Sequence, residues 1–321
     1  MAAVGLGVFI YWMVRSQPVV PPEAFFRRDS DALAVIQLRP EHEHLASLLK
    51  QLAEKPPEGI DMTEEQQKDL KARSGDIPSQ MSSVTPLQVV LSARKLDNPQ
   101  SVQEIPEGVS WRFLGDLVKG PGKKKRFGTG FAASMKSYGG VIRWTLSGMI
   151  NSFVDQGGYK EQYEDVDIGV PPDENFYLAV ISNNVLLADD KNVVTGWIDE
   201  LQKRDTRKAT TEHNETDFKG PESVKRVYQQ LEARAPFIFA TSNTKGEIEA
   251  FLTTLQESLP EDKTYGAISM PNQIVQMLKS SDINSDATEA LGGYIEMKDP
   301  DTARIHLYAQ CNSGKTADKI T

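Results

Sequence analysis

The sequence predicts an α+β protein, with an N-terminal membrane helix followed by a body of mainly antiparallel sheets whose helices pack on one face. Three observations carry this reading. The chain opens on an uninterrupted apolar run, and its body is rich in short alternating, β-branched stretches bounded by turn residues. Two segments, ALAVIQLRPEHEHLASLLKQL (residues 32–52) and FIFATSNTKGEIEAFLTTLQESL (residues 237–259), both run strand, short polar link, then helix with similarly spaced apolar residues. Their echo leaves an internal duplication open. At 321 residues, 39% hydrophobic and 25% charged, the chain suits about two globular domains. Collagen, a disulfide scaffold and a wholly disordered chain are excluded.

Ala2 to Val14 is apolar throughout, with Val4, Leu6, Val8, Phe9, Ile10 and Val14 as its membrane-facing side chains. Tyr11 and Trp12 suit the membrane interface, where an apolar ring and a polar tip are both satisfied. A full span takes about 20 residues, so the run is short, as it would be if translation started upstream of Met1. No Lys or Arg precedes it and no small-residue cleavage site follows, which disfavours a cleaved signal peptide. Residues 1–15 are therefore read as a transmembrane anchor. Pro18, Pro21 and Pro22 make residues 16–30 an extended stalk. Residues 31–205 and 220–316 are expected to form two α+β domains, separated by a polar, mixed-charge stretch.

Within the first domain, Ala32 to Leu38 alternates as a strand, and Pro40 opens a helix with Leu45, Leu48, Leu49 and Leu52 on one face. Leu87 to Ala93 and Val109 to Gly115 read as strands. Thr129 to Lys136 and Val141 to Ser147 read as a hairpin turned at Gly139-Gly140, where glycine supplies positive φ. Phe176 to Ser182 and Val185 to Asp189 flank a second turn at Asn183-Asn184. The next helix buries Val193, Val194, Trp197, Ile198 and Leu201. In the second domain, Pro221 opens a helix to about Ala233, and Pro236 to Ser242 is a strand followed by a helix from Gly246 to Leu259. A short strand (YGAISM) and a helix (PNQIVQMLKS) come next, and GGYIEMK and ARIHLYAQ close the chain as strands turned at Asp299-Pro300-Asp301.

The anchor, the proline spacer, the opening "PPEA…DALAVIQLRP…LASLLKQL", "SYGGVIRW" and "NNVLLADDKNVVTGWIDEL" together resemble an uncharacterised family of signal-anchored bacterial envelope proteins. The resemblance implies an extracytoplasmic, periplasmic body and brings no catalytic residues with it. The positive-inside count points the other way. Arg15, Arg27 and Arg28 follow the anchor, which favours a cytoplasmic body.

The net charge of −9 disfavours nucleic acid, whose binding needs a basic surplus. Residues 1–160 hold 20 basic and 17 acidic side chains, and residues 161–321 hold 16 and 28, so the distal half suits an anionic lipid surface poorly. One cysteine, Cys311, excludes an internal disulfide. Lys123, Lys124, Lys125 and Arg126 sit between glycines, and read as a solvated hairpin tip that could contact an anion or an acidic partner. AQCNSGKT lacks both the first glycine and the following helix of a phosphate loop. His42 and His44 are two apart and face different ways on a helix, so they suit no metal. The acidic stretch Glu161 to Glu174 lacks the third ligand and the closing Glu of a calcium loop, and reads as a solvated loop. No cofactor is expected. The chain thus reads as a non-enzymatic, membrane-anchored envelope protein, a scaffold or accessory subunit whose partners are the bilayer and other membrane proteins. The alternative is an extracytoplasmic ligand binder or hydrolase, with carboxylates such as Asp165, Asp189 and Asp190 brought to a histidine.

Overall fold

The computed structural model describes residues 19–27, 29–39, 42, 50, 85–101, 114, 124–135, 139–172, 176–207, 220–258, 288–299 and 302–312. Among the described residues ten strands join one sheet: β1 (Ala32–Leu38), β2 (Leu87–Ser101), β3 (Lys124–Met135), β4 (Tyr159–Tyr163), β5 (Val166–Val170), β6 (Tyr177–Ile181), β7 (Asn184–Ala188), β8 (Phe237–Ser242), β9 (Thr288–Asp299) and β10 (Thr302–Cys311). Their order is β10-β9-β8-β1-β2-β3-β7-β6-β5-β4, and every neighbouring pair is antiparallel. Four α-helices with described bounds accompany them: α1 (Gly139–Asp155), α2 (Lys191–Arg207), α3 (Glu222–Tyr228) and α4 (Glu247–Ser258). A 3-10 turn, Pro22–Phe25, precedes β1.

This corrects the expected fold class. The described strands form a single sheet rather than several, and its helices lie on both faces rather than one. On one face, Trp197 and Ile198 of α2 and Val224 and Tyr228 of α3 pack with Leu33, Val35, Val90, Ala132, Leu186, Ile238 and Ala240. On the other, Ile150 and Phe153 of α1 pack with Ala133, Phe176, Leu178, Val185 and Leu187, and Ile248 of α4 packs with Phe239 and Leu291. Strand residues alternate between faces, so β7 is buried at all five positions because α1 and α2 cover it from opposite sides. The strands of the two echoing segments, β1 and β8, lie side by side rather than in separate sheets.

The largest local correction is α1. A strand at Val141 to Ser147 with a Gly139-Gly140 turn was expected, yet both glycines begin a helix. Leu146, Met149, Ile150 and Phe153 recur at three- and four-residue spacing and meet the sheet together. A seven-residue window fits either period, and only the longer stretch separates them. Gly169 of β5 lets α1 close on the sheet, since a Cβ there would lie 2.7 Å from Ile150 Cγ1. Leu114, the described residue of the expected strand Val109 to Gly115, is helical and buried under α1.

The acidic stretch from Glu161 is a hairpin and not a loop. Glu164 (φ 47°) and Asp165 (φ 60°) turn β4 into β5, whose Val166, Ile168 and Val170 are buried. The β6–β7 turn falls at Ser182-Asn183, one residue earlier than expected, with Ser182 at φ 55° and Ile181 opposite Asn184. The helix after Pro221 ends at Tyr228, short of Ala233. The later half of the expected stalk belongs to the body. Phe25 and Phe26 are buried beneath α2 and α3, the Trp197 indole N–H donates to the Phe25 carbonyl at 3.0 Å, and the Tyr228 hydroxyl donates to Glu23 at 3.1 Å. Among the described residues no helix is long and apolar enough to cross a membrane. The expected anchor, residues 1–15, lies outside them, as do the helix after Pro40 except His42 and Lys50, the mixed-charge stretch 208–219, and residues 259–287.

Candidate functional site

Past Ala93, β2 and β3 run on together beyond the end of β1, with a register shift between Lys95 and Gln100. At the base of this ribbon lies a cleft of about 270 Å³, lined by Arg27, Asp29, Arg94, Lys125, Asp189 and Asp190 among others. Its charges are largely spent on one another. Lys125 Nζ lies 2.5 Å from Asp189 Oδ2, which also accepts the Thr129 N–H at 3.0 Å. Arg27 lies 2.6 Å from Asp29, and Arg94 approaches the same carboxylate oxygen at 3.6 Å. Asp190 accepts the Asn192 N–H at 2.9 Å and so caps the start of α2. Among the described residues, neither Asp165 nor any histidine lines this cleft. Asp165 sits instead on the β4–β5 turn.

A second cleft of about 330 Å³ lies against Arg94, Lys95, Asp97, Asn98 and Lys245. Nearby, Asp31 ties three strands together: its N–H donates to the Ala93 carbonyl at 2.8 Å, and its own carbonyl accepts the Ser242 N–H at 2.7 Å. Its Oδ2 accepts the Lys95 N–H at 2.8 Å, and Lys245 Nζ lies 3.7 Å from its Oδ1. Burial holds the Asp31 carboxyl above the ordinary carboxylate range, outweighing the Lys95 N–H, Lys245 and Arg94, which favour the charged form.

The basic cluster read as a hairpin tip is strand. Lys124 is exposed at the start of β3, Lys125 is committed to Asp189, Arg126 follows in the same strand, and Lys123 lies outside the described residues. This corrects the loop reading: the stretch pairs with β2, through Lys124 opposite Ser101 and Lys125 opposite Gln100. The expected anchor side chains Val4, Leu6, Val8, Phe9, Ile10, Tyr11, Trp12 and Val14 are also outside the described residues. His42 contacts two backbone carbonyls, Gln37 at 3.0 Å and Arg234 at 2.9 Å, so its ring holds the end of β1 to the loop after α3. Among the described residues no group of three or more His, Cys, Asp or Glu is placed to hold a metal.

The sheet's two edges differ sharply. β4 has five residues, and its charges are engaged: Lys160 pairs with Asp167 at 3.2 Å, and Glu161 pairs with Lys191 at 2.5 Å. The hydrogen bond to Glu161 raises the Lys191 pKa. Short, charged edges of this kind resist pairing with other chains. β10 has ten residues (TARIHLYAQC), with no Lys, Asp, Glu or Pro. Among the described residues it pairs with β9 alone. Ile305 is 60% exposed, Leu307 41% and Tyr308 36%. On the opposite face from Ile305 and Leu307, the Tyr294 ring stacks on His306 with centroids 4.4 Å apart, and on Tyr308 at 6.3 Å. The alternation marks ARIHLYAQ as a strand but carries no sign that it lies at an edge, so Ile305, Leu307 and Tyr308 do not stand out in the sequence.

No family model matches the chain, and no curated protein matches it. Among solved structures, crystal form III of TP0453 aligns over 92% of this chain and 81% of its own, with 9% identity and a TM-score of 0.38. Crystal form IV aligns over 91% and 81%, with 8% identity and a TM-score of 0.36, and crystal form I over 92% and 80%, with 8% and 0.35.

Proposed function

We propose that this chain is a non-enzymatic, membrane-anchored envelope protein, tethered through residues 1–15, whose body holds other proteins along the outer edge of β10. The observation that carries the reading is the contrast between the sheet's edges: β4 is short and ion-paired, while β10 offers ten residues with Ile305 and Leu307 exposed. An unguarded strand edge presents a row of N–H and C=O groups to an incoming strand, and alternating side chains set which strand fits. The apolar run Ala2 to Val14 supports the tether, and the resemblance to signal-anchored envelope proteins supports a periplasmic body.

The test is fractionation of the native host followed by mild-detergent purification of the full-length chain. The expected result is recovery from membranes, release on deletion of residues 1–15, and co-purifying membrane proteins that Ile305→Lys with Leu307→Lys removes. Full-length protein found wholly in the soluble fraction would overturn the tether. An unchanged set of companions in the double variant would overturn the edge as the contact.

A further inference from the structure

We propose that a second copy of this chain occupies the β10 edge, the two β10 strands pairing antiparallel across a two-fold axis through Leu307. The inference rests on reading that edge as a protein-contact surface and deepens it by naming the occupant. In a two-fold pair each residue meets the position reflected through the axis. With Leu307 on the axis, Leu307 meets its own copy, Ile305 faces Ala309 of the second copy, His306 faces Tyr308, and Arg304 faces Gln310.

Two properties of β10 make this pairing self-complementary. The first is pattern. Ala303, Ile305, Leu307, Ala309 and Cys311 occupy one face, and Thr302, Arg304, His306, Tyr308 and Gln310 the other. An axis perpendicular to the sheet keeps apolar residues against apolar residues, and extends the cluster where Phe239 and Ala309 pack against Ile248 and Leu291. The opposite face would bring Tyr308 of the second copy beside His306, which already stacks on Tyr294 with its ring inclined by only 8°. The second property is charge. Arg304 and His306 are the only basic residues of β10, there are no acidic ones, and in this register neither basic residue faces another cation. Like charges placed directly opposite destabilise strand pairing, and here the pairing avoids them. The β4 edge offers no comparable apolar face: it has five residues, and its Lys160 and Glu161 are engaged with Asp167 and Lys191.

The experiment measures the mass of the full-length chain in mild detergent by analytical ultracentrifugation across a concentration series. It compares wild type, Leu307→Lys, Leu307→Glu and an equimolar mixture of the two variants. Wild type is expected as a dimer. Each single variant places two like charges on the axis, and should weaken the dimer by about fivefold or more. The mixture should restore it, because Lys then meets Glu. Unchanged far-UV circular dichroism of the variants shows that they remain folded, and restoration in the mixture is independent evidence of the same. Wild-type protein that stays monomeric, or a dimer that neither variant weakens, would overturn the proposal. A monomer that still recovers other envelope proteins through wild-type β10, but not through Leu307→Lys, rejects the second copy and keeps the broader reading. The absence of any edge-dependent association removes both.

Discussion

Asp31 shows how one residue can lock the junction of three strands at a cost in charge. Its backbone joins β1 to Ala93 and Ser242, while its carboxyl is buried and feels the charge of Glu247. Burial is the larger cause of its raised pKa and Glu247 adds to it, so the ionised form is the penalised one. A carboxyl whose pKa is higher folded than unfolded contributes its full stability below the unfolded value of about 3.9, and loses it as pH rises through the folded value. Asp31→Asn keeps an acceptor for the Lys95 N–H and removes the charge. The variant should therefore gain stability relative to wild type as pH is raised from acid to neutral. Urea midpoints at the two pH values measure this, and a gap that stays constant or narrows toward neutral pH would refute it.

The helices are placed by side-chain size as much as by pattern. α2 lies close to β3 because Gly130 has no side chain, and a Cβ there would come within 2.6 Å of Trp197 Cη2. Gly292 does the same for α3, where a Cβ would meet Val227 Cγ1 at 2.4 Å. On the other face α1 turns Phe153 inward against Phe176, with ring centroids 5.9 Å apart, while Trp144 on the same helix is 68% exposed. Phe153→Ala should then cost about 3–5 kcal/mol, and Trp144→Ala no more than about 0.5 kcal/mol. Thermal or urea unfolding of the two variants distinguishes them. Equal losses would mean that α1 is not held by the face described.

For the whole molecule, the antiparallel sheet is protected most at its middle and least at its ends. β7 lies between α1 and α2 with both faces covered, so its amides open only with extensive unfolding. β4 and β10 each have one strand neighbour among the described residues. Native-state hydrogen exchange should accordingly be slowest in Val185–Leu187 and fastest in β4. If β10 pairs with a second copy, its amides should slow as protein concentration rises while those of β4 do not. Exchange in β7 as fast as at the edges would contradict the central position assigned to it.

Alternation and helical spacing in the sequence were enough to place β1, β3, β6 to β10 and the buried face of α2, because each depends on neighbours a few residues away. The same local signal misread α1, where Val141 to Ser147 fits both periods, and missed the β4–β5 hairpin, whose charged surface hides Val166, Ile168 and Val170. The committed pairs Lys125–Asp189 and Lys191–Glu161 join residues 64 and 30 positions apart, and no sequence spacing announces them. The choice of which strands become edges, and which faces the helices cover, belonged to the tertiary structure alone. A strand's pattern records that one side of it is apolar, whereas its neighbours in the sheet are set by pairing between distant parts of the chain.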